Sequence, residues 1–344
     1  MKLAFYFYIT AEIPVLMPML KEASGRGHEC TIIIHSGFEN PELQEILETY
    51  VDVELKKWEI VPYKTIICPL IINESMEYSF NRYVPYNEYD FIIATEARRV
   101  YMYKAKGKVA LVYHGIGWTK GEQIRTELSW EKDAYVSFVT ANPQKRIMSK
   151  YCPNKRIEVV GFPKFDIPHK AEQNKEFTVL YAPTWDNAGS LEYIGQRVPE
   201  LPYNIIIKLH RNTIEKRFKV VDWVDFYRIK GIEVNSGLDI VDDILKSHVV
   251  LTDFSSVALE ALVLNRPVIA FDNGNITEQK EKLWWQVRDL MYIVKSFDEI
   301  KGLLAVKNLP LKPQHQERVK EICEYPDGAS KRILNCLEEY AKNS

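Results

Sequence analysis

The chain has 344 residues, more than a single hydrophobic core usually serves, so two domains are expected. Its 46% hydrophobic and 27% charged residues are those of an ordinary globular protein, and a formal charge of -2 gives no electrostatic reason to bind nucleic acid. Five scattered cysteines without a Cys-x-x-Cys pair signal neither a disulfide framework nor a zinc site and fit a reducing cytoplasm; no signal-peptide pattern opens the chain and no stretch reaches the ~18 apolar residues of a membrane span.

Apolar, β-prone runs alternate along the chain with helix-length pieces. Residues 2–9 read as a strand, 12–24 as a helix ended by Gly25-Arg-Gly27, and 30–34 as the returning strand of a βαβ unit. Further strands are predicted at 65–72, 90–95, 109–113, 135–140 and 157–160. Segment 161–176, with Pro163, Pro168 and many polar residues but no sustained period, reads as an interdomain linker. A second series follows, with strands at 177–182, 204–209, 224–229, 249–252 and 267–271 and a closing helix at 329–341. The alternation predicts an α/β protein of two doubly wound, Rossmann-like domains, 1–165 and 166–325, with 326–344 a terminal helix that could cross back to the first. Two such halves facing across a cleft make the GT-B architecture, in which the second half usually holds a nucleotide-linked donor.

In open α/β sheets ligands bind beyond the carboxyl ends of the strands, which draws attention to His114 after 109–113 and to His210 after 204–209. Residues 249–264 run strand, Thr252-Asp-Phe-Ser-Ser256, helix; a helix amino end offers free N–H groups to a diphosphate, and the serine hydroxyls add donors. An alternative is that Asp253, Ser255 or Ser256 simply caps the helix. His210 can likewise be a donor to a leaving phosphate or an ordinary loop histidine, and Gly115 and Gly117 either admit a substrate or end a strand. Gly115-x-Gly117-x-x-x-Gly121 misses the spacing of a dinucleotide fingerprint, and no P-loop or Asp-x-Asp occurs, so no cofactor and no metal are expected. His28, His35, His169 and His315 lack ligand-spaced partners and read as surface or loop residues. Two aromatic and basic stretches, 98–108 and 280–288, suit either peripheral contact with the cytoplasmic membrane face or a solvated helix face.

Several segments, in order, resemble the CDP-glycerol glycerophosphotransferases of teichoic-acid synthesis. They are His114-Gly-Ile-Gly-Trp-Thr-Lys-Gly121, Gly161-Phe-Pro-Lys-Phe-Asp166, Val179-Leu-Tyr-Ala-Pro-Thr-Trp185, Ile207-Lys-Leu-His210, Asp239 with Thr252-Asp-Phe-Ser-Ser256, and Asp327-Gly-Ala-Ser330. The chain departs from the family at His114-Gly-Ile-Gly, where Thr-Pro-Leu is usual after His-Gly, at Asp186, where Arg is common, and at His248, where Asp is expected. The resemblance implies His114 as general base and His210 beside the donor phosphate as catalytic residues. It also implies Lys208, Asp253, Ser255, Ser256, Thr184 and Asp239 as donor-binding, and Gly115, Gly117 and Lys120 as acceptor-binding. The implied partners are CDP-glycerol or a similar nucleotide donor and a polyprenyl-linked saccharide acceptor. Two alternatives are a GT-B glycosyltransferase or nucleotide-sugar epimerase using a UDP-sugar, and a non-catalytic nucleotide- or polymer-binding module.

Overall fold

The computed structural model describes residues 1–35, 41–60, 64–68, 85–95, 108–117, 134–185, 189–214, 222–275 and 282–343. The chain divides into two compact units, the first made of Met1–Ile167 with Cys323–Ser344, the second of Pro168–Ile322.

The first unit runs β1 (Lys2–Phe7), α1 (Ile13–Gly25), β2 (Glu29–His35), α2 (Pro41–Lys57), β3 (Lys64–Cys68), β4 (Phe91–Ala94), β5 (Val109–Val112), β6 (Val136–Val139), α3 (Asn142–Tyr151) and β7 (Arg156–Val159). Its seven strands are parallel and lie in the order β3-β2-β1-β4-β5-β6-β7. Strands β4, β5 and β6 are buried at every position, which is why they read as unbroken apolar runs rather than alternating ones. The order reverses between β1 and β4, and in doubly wound sheets that switch point opens a crevice at the carboxyl ends.

In the second unit come β8 (Thr178–Tyr181), β9 (Asn204–Ile207), α4 (Trp223–Ile229), α5 (Val241–Lys246), β10 (Val249–Thr252), α6 (Ser256–Val263), β11 (Val268–Phe271), α7 (Leu283–Gln286), β12 (Tyr292–Val294) and α8 (Phe297–Leu304). The parallel order β12-β11-β10-β8-β9 puts this unit's switch point between β8 and β10. The predicted strand at 224–229 is instead helix α4: Asp222 caps it by accepting from the Asp225 N–H at 3.1 Å, and Trp223 and Tyr227, four residues apart, bury one face. Strand β12, three residues at the sheet edge, gave no separate signal.

The closing helix, α9 (Ala329–Lys342), belongs to the first unit. Asp166 accepts from the Ala329 and Ser330 N–H groups, Arg332 donates to the Val160 carbonyl, and Arg26 and His28 both reach Glu338. Ile333, Leu334 and Leu337 of the same helix are fully buried. The predicted linker is therefore divided: Phe162, Pro163, Lys164 and Phe165 are buried in the first unit, and the second begins at Pro168.

Three of the histidines read as surface or loop residues are engaged. His315 is 1% exposed and bonds Asn265, His169 lies against Asp242, and His28 bonds Glu338. His248 sits at the amino end of the second sheet, where its Nδ1 accepts from the Thr178 N–H at 3.1 Å and its ring lies 5.3 Å from that of Phe177. Burial, with Arg266 adding to it, holds the His248 imidazole below its ordinary value; burial alone lowers His315. Each ring therefore holds a proton less readily in the folded than in the unfolded protein. Their contribution is complete above the ordinary imidazole value of about 6.5 and is lost as the pH falls below it. Urea denaturation at pH 7.5 and 5.5 should show lower stability at 5.5, with a smaller loss in His248→Gln.

Gly161 follows β7 at φ +88°, and a Cβ there would lie 2.5 Å from the Tyr325 carbonyl oxygen. Gly161→Ala should cost roughly 2–4 kcal/mol from left-handed backbone strain and the forced shift. The check is a lower denaturant midpoint at unchanged slope.

Candidate active site

At the switch point of the second unit the loop after β8 and the turn after β10 are joined by one side chain. Asp253 is fully buried, and its carboxylate accepts from the Thr184 N–H at 3.0 Å, the Ser190 N–H at 2.8 Å and the Ser190 hydroxyl at 2.9 Å. The Ser190 hydroxyl has one proton and gives it to Asp253, so the Tyr181 hydroxyl, 3.1 Å away, donates to Ser190. Complete burial pushes the Tyr181 phenol well above its ordinary range, which keeps that donor neutral. Thr252 closes the same seam, its hydroxyl donating to the Ala182 carbonyl at 2.6 Å.

The turn then delivers Ser255 and Ser256 to the amino end of α6. The Ser255 oxygen accepts from the Val257 N–H at 3.3 Å, so this serine does cap the helix, and its own hydroxyl proton points elsewhere. Ser256 is half-buried as the first residue of the helix. Three residues beyond β9, the strand next to β8, His210 accepts from the Asn212 N–H at 3.1 Å through Nδ1, which leaves the proton of the neutral ring on Nε2. Trp185, 37% exposed, lies with its ring 5.9 Å from that of His210.

Lys208 and Asp239 form a brace beneath this edge. The Lys208 ammonium is 8% exposed, donates to the Asp239 carbonyl at 2.9 Å and pairs with Asp243 at 3.2 Å. Asp243 also accepts from Asn235 at 2.6 Å. The Asp239 carboxylate accepts from the Val241 N–H at 3.0 Å and lies 3.9 Å from His169, whose other nitrogen is 3.0 Å from Asp242.

In the first unit His114 stands two residues beyond β5, half-buried, one strand away from the switch point. Gly115 and Gly117 follow it, and Gly117 has φ +75°, a conformation that favours glycine. Glu12, which the sequence did not single out, closes this switch point much as Asp253 closes the other. It is 1% exposed and accepts from the Tyr8 and Ile9 N–H groups beyond β1 and from the Thr95 hydroxyl beyond β4. A polar side chain in an otherwise apolar stretch, immediately before Ile13-Pro14, was the available signal. Lys120, Asp186 and most of the 98–108 stretch lie outside the described residues. In the 280–288 stretch the indoles turn inward onto Phe254, with Trp284 8% exposed, so they do not form an open interfacial face. Among the described residues no helix is long and apolar enough to cross a membrane.

Residues 72–339 match the family described as CDP-Glycerol:Poly(glycerophosphate) glycerophosphotransferase. The chain belongs to this family. It is a CDP-glycerol glycerophosphotransferase-like enzyme, and the segments that carry the resemblance in the sequence lie within or at the edge of the matched region. No curated protein matches the chain. Among solved structures it is similar to the wall teichoic acid polymerase TagF soaked with CDPG, at 15% identity and TM-score 0.62 over 99% of this chain and 89% of that one. It is also similar to UDP-GlcNAc 2-epimerase of Neisseria meningitidis bound to UDP-GlcNAc, at 16% identity and TM-score 0.61 over 98% and 100%. A third likeness is to MnaA of S. aureus with UDP, at 15% identity and TM-score 0.60 over 99% and 97%. These likenesses give the fold, two parallel α/β sheets of the GT-B type.

Asp253→Ala should leave the Thr184 and Ser190 donors facing each other without an acceptor. At about 1–3 kcal/mol for each buried group so stranded, a loss of several kcal/mol is expected. Early melting of the second unit in a thermal scan is the measurement, and an unchanged midpoint would refute the brace.

Proposed function

We propose that the protein transfers glycerol phosphate, or a related polyol phosphate, from a CDP-activated donor to a hydroxyl of a lipid-linked surface-polymer precursor. The observation that carries this reading is the amino end of α6, presented with Ser255 and Ser256 at the switch point of the second unit, with His210 beyond the carboxyl end of β9 in the same sheet. Such a helix end supplies N–H donors and about half a positive charge to a diphosphate, and no lysine is needed there. In this reading Ser255, Ser256, His210 and the Thr184 loop face the donor. Asp253, Lys208 and Asp239, engaged with protein groups, hold those elements in place.

The acceptor oxygen attacks the glycerol-bearing phosphorus in line, the bond from that phosphorus to CMP breaks, and CMP leaves. His114 takes the acceptor's proton, with Gly115, Gly117 and Lys120 beside the acceptor. The His210 Nε2–H donates to the phosphate as charge develops on the leaving group. An acceptor carried on a polyprenyl lipid implies work at the cytoplasmic face of the membrane, as a peripheral protein. The epimerases that share the fold give the competing reading, a UDP-sugar enzyme; stabilisation by UDP-sugars and not by CDP-glycerol in a thermal-shift screen would favour it. Binding of CDP-glycerol without turnover on any lipid acceptor would favour a non-catalytic module.

The two histidines separate by experiment. His114→Ala should leave CDP-glycerol affinity nearly intact and lower turnover by about 10²- to 10⁴-fold, whereas His210→Ala should weaken both. Calorimetry beside a radiolabelled transfer assay measures this. Loss of nucleotide binding in His114→Ala, with His210→Ala unaffected, would reverse the assignment.

A further inference from the structure

Trp185 closes the Ala-Pro-Thr-Trp segment and stands beside His210. Strands β8 and β9 pair in parallel with Tyr181 opposite Ile207, so Trp185, four residues past one strand, and His210, three past the other, come to the same carboxyl edge. Their ring centroids lie 5.9 Å apart, with 42° between the planes. The loop that carries Trp185 is tied to the sheet at the preceding residue, where the Thr184 N–H donates to the buried Asp253 carboxylate at 3.0 Å. The indole is nevertheless 37% exposed, so it is not a core side chain.

The backbone of His210 is held by its own turn. Its carbonyl accepts from the Thr213 N–H at 2.9 Å and the Ile214 N–H at 3.2 Å, and the guanidinium of the next residue, Arg211, donates to the Ser236 carbonyl. The imidazole is tied at Nδ1 by the Asn212 N–H at 3.1 Å. A hydrogen bond at one nitrogen fixes a point but not a plane: the ring still rocks about that contact, and the Nε2–H on its far side sweeps the widest arc. An aromatic ring along the flank of the imidazole restrains that motion, and rings at this separation attract. Donation to a developing charge demands a fixed direction, so rocking costs rate while leaving the fold intact.

We propose that Trp185 is the positioning residue for His210, its indole holding the imidazole so that the Nε2–H keeps one direction. The role rests on the reading of His210 as the donor to the phosphate in glycerol phosphate transfer. The exposed part of the indole offers a competing role, stacking directly on the base of the nucleotide. The two differ in one respect: a positioning residue acts only through His210, whereas a stacking residue acts without it.

A double-mutant cycle on the full chain decides, read by calorimetry with CDP-glycerol and by single-turnover transfer of labelled glycerol phosphate to a synthetic prenyl-diphosphate disaccharide. Trp185→Leu should lower turnover about tenfold and CDP-glycerol affinity about threefold, the order expected when one side chain must be ordered anew at each event. Trp185→Phe, which restores a ring, should recover most of both losses. In the His210→Ala background Trp185→Leu should change neither quantity further; binding without transfer leaves the affinity cycle to decide. A loss of affinity that persists in that background would assign the indole to the nucleotide base and overturn the positioning role, and so would Trp185→Leu without effect on either quantity. If Trp185→Leu does not fold, the decision falls to the His210 imidazole proton resonances, identified by their disappearance in His210→Ala. They should show cross-relaxation with the Trp185 indole protons and move in Trp185→Phe; resonances indifferent to that substitution overturn the role. An unmodified protein that neither binds CDP-glycerol nor transfers from it overturns the donor reading and the role together, whereas intact binding with additive losses at the two positions overturns the role alone.

Discussion

The second unit depends on one buried carboxylate. A parallel sheet whose strand order reverses sends the connections after its two central strands to opposite faces, so their loops diverge and nothing in the backbone ladder ties them together. Asp253 supplies the tie from within the turn after β10, holding the loop after β8 by two backbone N–H groups and a serine hydroxyl. The position of Ser255 and Ser256 at the head of α6 follows from it. Glu12 performs the same service for β1 and β4 in the first unit with a different residue reaching from a different loop. Both carboxylates stand where a ligand is expected to bind, yet each is filled by protein donors. Within its own unit, each carboxylate thereby fixes the two loops it joins before any substrate arrives.

The fold was legible because buried parallel strands write themselves as apolar runs: 109–113, 135–140 and 249–252 coincide with β5, β6 and β10 to within a residue or two at each end. The misread segment at 224–229 has alternating apolar residues, but its neighbours decide the outcome. Asp222 caps the turn, and the Trp223 and Tyr227 side chains need the same face of a helix to reach the core. Of the site, the placement of His114, His210, Ser255 and Ser256 at carboxyl ends of strands could be read directly. What Asp253 and Lys208 do could not. A carboxylate that binds a ligand and one that binds its own loop are the same residue in the same turn, and only the positions of Thr184 and Ser190, more than sixty residues earlier, tell them apart. The packing of Trp284 and Trp285 on Phe254 was hidden for the same reason, since a Trp-Trp pair beside lysines carries no mark of a ring thirty residues earlier.

The departures from the family pattern fall unevenly on this framework. His248 replaces an expected aspartate at the amino end of the second sheet, where it accepts a backbone hydrogen bond from Thr178, so that substitution bears on how β8 and β10 are held and leaves the carboxyl-end site untouched. The Ile-Gly pair after Gly115 is different. It begins two residues after His114, and Gly117 adopts a left-handed conformation that the usual residues would resist.

The return of α9 to the first unit also sets an order of events during synthesis. The second unit is one uninterrupted stretch, Pro168–Ile322, and has everything its sheet needs once that stretch has left the ribosome. The first is discontinuous. Its core waits for Ile333, Leu334 and Leu337, which are made after the whole of the second unit, and for the Arg26 and Asp166 contacts that seat their helix. The half of the chain that is translated first is thus finished only after the second unit has been made, and the sides of α1 and of the Pro163–Asp166 turn that receive α9 stay uncovered until then.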